Sequence, residues 1–145
     1  MQPCTIRDLN EVSDVASRHF GEDYTLWVRQ RLLAPDHHLF YFDKDLVVYV
    51  EPIGTYKYSI HLLGETSRVK ELRDFTISLG SWVFANTKCT SLVTFVSVNN
   101  KRLQRFIGLT GGQRVGIIPD AGGLEDEIIY VYPIRNRIEL ESRRS

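Results

Sequence analysis

Apolar residues near the start of the chain recur at the three- and four-residue steps of amphipathic helices. They predict one helix over residues 9–20, and Gly21 follows it with the conformational freedom that favours a helix end. A second helix is predicted over residues 24–34, and Pro35 ends it because proline disfavours helical geometry in the preceding residue. Residues 3–7, before both helices, are predicted to form a short strand.

The middle of the chain carries the pattern of a three-stranded meander. Residues 38–42 and 46–50 are aromatic and β-branched, and the polar residues between them are typical of a tight hairpin turn. Apolar and polar side chains alternate in residues 56–63, which indicates a strand with one buried face. This alternation puts His61 on the face opposite Tyr58, Ile60 and Leu62, where it is either exposed to solvent or lines a cleft.

The longest predicted helix covers residues 67–86, where apolar side chains form a stripe along one side. Gly80 lies within it, and glycine costs about 1 kcal/mol relative to alanine there, so we expect a close packing contact at Gly80. Continuous apolar residues at 91–98 predict a strand that is covered on both faces. A short helix from Asn100 and two strands, at 113–119 and 127–132, follow.

These elements are predicted to form one α+β domain over residues 1–134, in the order β-α-α-β-β-β-α-β-α-β-β. Residues 135–145 follow as a charged tail with four arginines and two glutamates. The tail is interpreted either as a solvated segment or as an arm that docks on a protein partner or a phosphate. Both interpretations remain open.

The balance of positive and negative charge argues against the partners that a basic excess would attract. Eighteen Lys and Arg residues equal eighteen Asp and Glu residues, so the formal net charge is zero. Nucleic acid and anionic membranes attract proteins with a basic excess, so neither is expected by default, although the arginines of the tail leave nucleic acid open. No apolar run approaches the roughly 18 residues that span a bilayer. The first residues have no apolar signal core, and we expect a cytoplasmic protein.

The spacing of cysteines and histidines indicates neither disulfides nor a metal site. Cys4 and Cys89 are too few for a disulfide framework and form no CxxC pair, so we expect two buried thiols in a reducing compartment. The four histidines lack the spacing of metal ligands, and the neighbours His37 and His38 would point to opposite faces of a strand. No metal is therefore expected.

The segment from Asn100 to Gly111 carries the most specific resemblance in the chain. Its asparagine is followed by Leu103 three residues later, by Phe106 six residues later and by Gly111 eleven residues later. This spacing is similar to the closing motif of the GNAT (Gcn5-related N-acetyltransferase) family, and the predicted order of elements resembles that family over residues 3–133. The resemblance implies an α/β three-layer fold with a central mixed, mostly antiparallel sheet and a cleft between diverging central strands.

The resemblance also implies a loop that holds the pyrophosphate of acetyl-CoA at the start of the long helix. In the family this loop has the form Arg/Gln-x-x-Gly-x-Gly/Ala, in which glycines and helix N–H groups allow close contact with an anion. With Arg68 in the leading basic position, the two glycine positions hold Glu71 and Arg73, so the loop departs from the pattern. The candidate cofactor-binding residues are Arg68, Lys70 and Asn100.

Catalytic residues are harder to assign from the resemblance. Many members use a tyrosine on the short helix to protonate the leaving thiolate, but that step count falls on Ile107, which has no proton to give. Candidate bases on the meander are Glu51, His61 and Glu65, of which His61 and Glu65 are kept as the catalytic candidates. No set of nucleophile, base and orienting residue is visible in the sequence.

Three functions remain open. The altered loop and the missing acid favour a GNAT-fold protein that does not transfer acetyl groups and serves in binding or assembly, which resembles small GNAT-related proteins of head or virion assembly in tailed bacteriophages. Such a protein would need no cofactor, its partners would be phage structural proteins, and it would lie in the host cytoplasm or the virion. The alternative is an acetyl-CoA-dependent N-acetyltransferase that acts on an amine of a small molecule or a protein. A regulatory domain that binds another small ligand in the cleft is the third.

Overall fold

A six-stranded sheet with helices on both faces forms the described part of the chain. The computed structural model describes residues 1–134, so the predicted charged tail at 135–145 lies outside the described residues. No helix in the described part is both long and apolar enough to cross a membrane. The helices are α1 (Leu9–Phe20), α2 (Thr25–Leu33), α3 (Val69–Asn86) and α4 (Lys101–Leu109). The strands are β1 (His38–Asp43), β2 (Leu46–Pro52), β3 (Lys57–Gly64), β4 (Ser91–Ser97), β5 (Gln113–Ile118) and β6 (Glu127–Pro133).

The strands lie in the order β1-β2-β3-β4-β6-β5 within the sheet. β3 and β4 run parallel, and the other neighbouring pairs are antiparallel. The predicted mixed, mostly antiparallel sheet is therefore confirmed, as is the order of elements from α1 to β6. The crossover between β3 and β4 is formed by α3, because a parallel pair requires a long connection.

Two apolar cores lie on opposite faces of the sheet. On one face, Leu79 and Val83 of α3 and Ile107 of α4 pack against side chains of β1, β2, β3, β4 and β6. On the other face, α1 and α2 form a smaller core with β1, β2 and β3. Neighbouring residues of a strand point to opposite faces, and His61 therefore lies on the α1–α2 face, opposite Tyr58, as the alternation predicts.

The predicted opening strand at residues 3–7 is wrong. The Cys4 N–H donates to the Leu39 carbonyl at 2.7 Å, and the chain then turns into a 3₁₀ helix at Ile6–Asp8. Thr5 and Asp8 form a capping box, in which each side chain accepts a hydrogen bond from a backbone N–H of the turn. These local bonds satisfy N–H groups that an extended segment would leave to the sheet, so the helical turn is preferred.

Gly80 does not make the close contact that its place in the sequence suggests. A Cβ built on Gly80 would meet no atom within 4 Å beyond its own helix backbone and its chain neighbours. The expectation of close packing is wrong because Gly80 lines a cavity under α3. The missing side chain leaves empty space there instead of allowing a neighbouring element to approach.

Gly64 ends β3 at the point where the turn between β1 and β2 approaches it. Its φ is 115°, in the region that favours glycine. A Cβ at this position would lie 1.9 Å from the backbone oxygen of Asp45, which cannot rotate away. The Gly64 N–H donates to Nδ1 of His19 at 3.1 Å, so α1, the hairpin turn and the end of β3 meet at this residue.

We predict that Gly64→Ala lowers the free energy of unfolding by about 2 kcal/mol or more, because the backbone conformation and the Asp45 carbonyl both oppose a side chain. Gly108→Ala in α4 is the control, since a Cβ there meets nothing within 4 Å. Alanine in the helix is expected to raise the free energy of unfolding by up to about 1 kcal/mol. Urea unfolding measures both values, and a Gly64→Ala variant as stable as the unchanged chain would contradict the close approach.

Candidate functional site

β3 and β4 are neighbours in the sheet, but they pair over only a short stretch. Residues 57–59 of β3 pair with residues 91–93 of β4. β3 then continues to Gly64 and β4 to Ser97 without pairing to each other. Their facing edges therefore carry backbone N–H and C=O groups that the β3–β4 ladder does not satisfy, and a cleft of about 200 Å³ lies between them.

The cleft has an apolar wall and a partly exposed polar side. Ile60 and Leu62 of β3 form the wall together with residues of α4. The His61 side chain is 39% exposed, so this side is accessible to solvent. No charged side chain of the described residues lines the cleft, which suits an elongated, uncharged group. The polar side chains that line it are those of His61, Thr76, Thr94 and Tyr132.

A chain of hydrogen bonds connects His61 to the carboxylate of Glu51. Nε2 of His61 lies 2.8 Å from the Ser59 hydroxyl oxygen, and that hydroxyl donates to Oε1 of Glu51 over a longer 3.5 Å. When the Ser59 proton goes to Glu51, the Ser59 oxygen accepts the Nε2–H of His61. In that tautomer Nδ1 of His61 is the nitrogen with a lone pair. The same Oε1 of Glu51 is 3.5 Å from Nε2.

The Glu51 carboxylate is held from its other side by Tyr49. The Tyr49 hydroxyl donates to Oε2 of Glu51 at 2.7 Å and lies 2.6 Å from Nδ1 of His37. Burial, followed by the nearby Glu51, raises the pKa of the Tyr49 hydroxyl above its ordinary value. The hydroxyl therefore stays protonated and fixes one carboxylate oxygen, while the other faces Ser59 and His61. These five residues, 37, 49, 51, 59 and 61, are named the His61 network.

Tyr132 lines the cleft from the far end of the described chain. It lies on β6, pairs with Leu92 of β4, and its hydroxyl is 2.7 Å from Oγ1 of Thr110. Burial raises the pKa of the Tyr132 hydroxyl, which therefore stays protonated at neutral pH. Ile107, the predicted place of an acid, is buried in the cleft wall and has no proton to offer. The sequence pattern does not indicate Tyr132, because its position depends on the pairing of β6 with β4.

Arg68 lies at the start of α3, but its guanidinium points to the end of β1. It forms an ion pair with Asp43 at 3.3 Å, and its guanidinium carbon lies 5.0 Å from the centre of the Phe42 ring. Arg68 is the N-cap residue of α3, since the helix begins at Val69 rather than at residue 67. Its charge is therefore already paired within the chain.

The start of α3 offers backbone donors among mixed charges. The Val69 N–H donates to the Ser67 carbonyl and the Leu72 N–H to the carbonyl of the N-cap residue Arg68, both at 2.9 Å. Lys70 and Glu71 lie in the first turn, where backbone N–H groups have no partner within the helix. Lys70 is exposed, but Glu71 puts a negative charge in the same turn, and Glu65 is exposed in the loop before it. The potential at this helix start is therefore mixed in sign.

Asn100, the third residue proposed for cofactor binding, caps α4. Its Oδ1 accepts the Leu103 N–H at 3.1 Å, so the side chain stabilises the helix start. Lys101, Arg102 and Arg105 follow on α4, where they are exposed. None of them forms an ion pair with another residue in the 1–134 range. Basic charge therefore also lies on α4, the helix that contributes to the cleft wall.

The residues proposed from the sequence are only partly brought together. His61 lines the cleft, and Glu51 is connected to it through Ser59. Among the candidates, His61 therefore both lines the cleft and is connected by hydrogen bonds to a second candidate base, Glu51. The remaining candidates lie outside the cleft lining: Glu65, Arg68, Lys70 and Asn100.

The two cysteines do not line the cleft. Burial raises the pKa of the Cys4 and Cys89 thiols to about 11, so both thiols stay protonated near neutral pH. Within residues 1–134, no three His, Cys, Asp or Glu side chains are grouped as metal ligands would be.

Comparison with solved structures identifies the fold. The chain is similar to a chimera of the spermidine N-acetyltransferase SpeG from Vibrio cholerae and hSSAT, with a TM-score of 0.77, 9% identity, and coverage of 95% of this chain and 98% of that chain. A GNAT-family acetyltransferase from Bacillus cereus has a TM-score of 0.71 and 14% identity, with coverage of 91% and 94%. An aminoglycoside 6'-acetyltransferase type Ii has a TM-score of 0.71 and 16% identity, with coverage of 87% and 89%. No family model and no curated protein matches the sequence.

At these identities the similarity shows the fold alone. The predicted GNAT-like fold, with its mixed and mostly antiparallel sheet, is confirmed. The open stretch between β3 and β4 corresponds to the cleft between diverging strands that the resemblance implies. Acetyltransferases of this fold use acetyl-CoA, so acetyl-CoA is the cofactor implied if the chain is active.

We predict that Tyr49→Phe lowers the free energy of unfolding by about 1–2 kcal/mol, because it leaves Glu51 and His37 without their partner at a buried position. Tyr56→Phe is the matched control. Tyr56 is 59% exposed and its hydroxyl bonds to no described residue, so a change within about 0.5 kcal/mol is expected. Urea unfolding at neutral pH measures both, and equal losses in the two variants would show that the Tyr49 hydroxyl does not support the His61 network.

Proposed function

We propose that the chain is an acetyl-CoA-dependent N-acetyltransferase that acts on an amine. The observation that carries the proposal is the cleft between β3 and β4, which has the His61 network on one side and an apolar wall on the other. The solved structures of the same fold include acetyltransferases named for spermidine and for an aminoglycoside, which supports amine acylation as the reaction class.

The cleft fits the elongated arm of an acyl-CoA. Its volume of about 200 Å³ and its uncharged lining suit a chain of methylene and amide groups. The unpaired edges of β3 and β4 offer backbone groups to such a chain, in the way that an exposed strand edge accepts an added strand. Coenzyme A supplies the acyl group as a thioester, which is activated for transfer.

His61 is proposed as the base that removes a proton from the acceptor amine. Its Nδ1 has the lone pair in the tautomer that directs Nε2–H to Ser59, and Glu51 lies 3.5 Å from Nε2 on the opposite side of the ring from the proposed amine. As the amine nitrogen forms its bond to the acyl carbon, the carbon–sulfur bond breaks and the amine proton remains on Nδ1. The acceptor is expected to enter from the α1–α2 face, where the His61 side chain is partly exposed.

Tyr132 is proposed to stabilise the leaving sulfur through a hydrogen bond. Burial raises the pKa of its hydroxyl, so full transfer of its proton to a thiolate, which is the weaker base, is unfavourable. The Thr110 hydroxyl donates to the Ile107 carbonyl at 3.0 Å, so the Tyr132 hydroxyl donates to Thr110 and is proposed to turn toward the sulfur as charge develops there. A hydrogen bond to a charged group is stronger than one to a neutral group, which makes this role useful without a proton transfer.

The pyrophosphate end is expected to bind weakly. Arg68 must leave Asp43 to reach an anion, and Glu71 repels one. Lys70 and the free N–H groups in the first turn of α3 are proposed as its contacts, because a helix start attracts anions. Asn100 is proposed to act only through its cap on α4.

A GNAT-fold binding or assembly protein without transferase activity is the second candidate. The pairing of Arg68 with Asp43 favours it, because that pair occupies the guanidinium nearest the expected pyrophosphate site. The names of the similar structures given above do not refer to a phage or a virion. Virion assembly, a protein partner and a cytoplasmic location therefore stay predictions from the sequence.

We predict that acetyl-CoA raises the melting temperature by several degrees. A ligand at 100 times its dissociation constant stabilises the folded state by about 2.7 kcal/mol. CoA and desulfo-CoA are expected to act similarly, since the cleft binds the arm they share. The absence of a shift with all three at millimolar concentration would exclude the transferase proposal and favour the binding protein.

We predict that His61→Gln lowers kcat by about a hundredfold or more, because the base is lost. The shift in melting temperature with acetyl-CoA should stay unchanged, since glutamine keeps the cleft. Glu65→Gln is the control and should leave kcat within about twofold. Release of the CoA thiol with spermidine, an aminoglycoside and a peptide amine measures the rate. Full activity of His61→Gln, or loss of activity in Glu65→Gln, would show that His61 is not the base.

A further inference from the structure

A second, smaller cavity lies beside the cleft, under α3. Its volume is about 30 Å³, and Ile60, Thr76 and Tyr132 line both the cavity and the cleft. Ile60 directly follows the last residue of β3 that pairs with β4. The two spaces therefore share a wall at the point where the strands separate, and a group bound at that end of the cleft is adjacent to the cavity.

The lining of the cavity suits an apolar chain. Ile77 and Phe84 of α3 and Leu92 of β4 contribute apolar side chains, and no charged side chain of the described residues lines it. Four hydroxyl residues also line it, Thr76, Ser81, Thr110 and Tyr132, of which the last two are bonded to each other at 2.7 Å. The surface that a bound chain meets there is mainly apolar.

Gly80 keeps this cavity open. It lines the cavity, and a Cβ built on it would meet nothing within 4 Å. Glycine weakens a helix relative to alanine, and no packing contact at Gly80 requires it. The packing of the fold does not require a glycine at this position. The empty space beside it therefore accounts for the glycine.

We propose that the Gly80 cavity, defined as this space under α3, receives the end of the acyl chain, so that the protein prefers propionyl-CoA or butyryl-CoA to acetyl-CoA. The inference rests on the proposed acyltransferase function and names its acyl donor. A volume of about 30 Å³ is about twice the 10–15 Å³ of cavity space that one water-sized group requires. The cavity therefore has room for one or two methylene groups beyond an acetyl group.

The size of the effect follows from the transfer of methylene groups out of water. Each buried methylene contributes about 0.8 kcal/mol, which corresponds to about fourfold in affinity. With two additional methylenes, butyryl-CoA is expected to bind about fifteenfold more tightly than acetyl-CoA. Hexanoyl-CoA exceeds the cavity and is expected to lose this gain, because an overfilled site is strained.

Isothermal titration of the unchanged chain and of Gly80→Ala with this series of thioesters tests the proposal. A Cβ at Gly80, which lines the cavity, meets no atom within 4 Å, so the variant is expected to fold. Gly80→Ala should reduce the advantage of butyryl-CoA to less than about threefold and leave the affinity for acetyl-CoA within about twofold. Gly108→Ala is the control, because its Cβ also meets nothing within 4 Å and Gly108 lines neither space. It should keep the full preference.

The outcomes separate this inference from the function on which it rests. Equal affinities for acetyl-CoA and butyryl-CoA in the unchanged chain would overturn the acyl preference and leave the acetyltransferase proposal standing. A preference that survives in Gly80→Ala would place the acyl chain elsewhere. If no thioester and no desulfo-CoA binds, both proposals fall together. A preference that is lost in Gly80→Ala and kept in Gly108→Ala supports the Gly80 cavity as the acyl site.

Discussion

The architecture of the candidate site depends on how briefly β3 and β4 pair. Residues 57–59 and 91–93 hold the two strands together, and the remaining length of each strand is free of the other. The outer edges of this pair are satisfied by β2 and β6, so the sheet remains one sheet although it opens in its middle. On one face α3 and α4 enclose the opening, while α1 and α2 cover only the first three strands of the other face. The opening is therefore enclosed on one side and accessible on the other.

Strand alternation then gives the two sides of the opening different chemistry. Ile60 and Leu62 point to the apolar α3–α4 side, while Ser59 and His61 point to the α1–α2 side and to Glu51. Adjacent residues of β3 can thus contact a hydrocarbon chain on one face of the sheet and hold a proton-accepting ring in a polar environment on the other. In the proposed function, the arm of the donor lies along the α3–α4 side of the opening and the amine enters from the accessible side, and the reaction takes place where the sheet is open.

Local patterns predicted most of the fold, because helical stripes and strand alternation are properties of neighbouring residues. The prediction of an opening strand was wrong because an apolar pattern does not reveal the reciprocal hydrogen bonds of Thr5 and Asp8. The face of His61 was predictable, but its connection to Glu51 needed the register of β2 against β3. Arg68 and Tyr132 were beyond local reasoning, since their partners Asp43 and Thr110 lie 25 and 22 residues away in the chain. The empty space at Gly80 depends on how α3 packs on the sheet, which no sequence pattern encodes.

The protonated state of the half-buried Cys4 thiol and the buried Cys89 thiol has a consequence for the order of events in any acyl transfer by this chain. A thiol with a pKa of about 11 is almost wholly un-ionised near neutral pH, and neither Cys4 nor Cys89 lines the cleft. Neither cysteine is therefore placed or ionised to carry the acyl group as a covalent intermediate between two half-reactions. In the proposed function, donor and acceptor therefore bind in the opening of the sheet together, and intersecting rather than parallel double-reciprocal plots are expected.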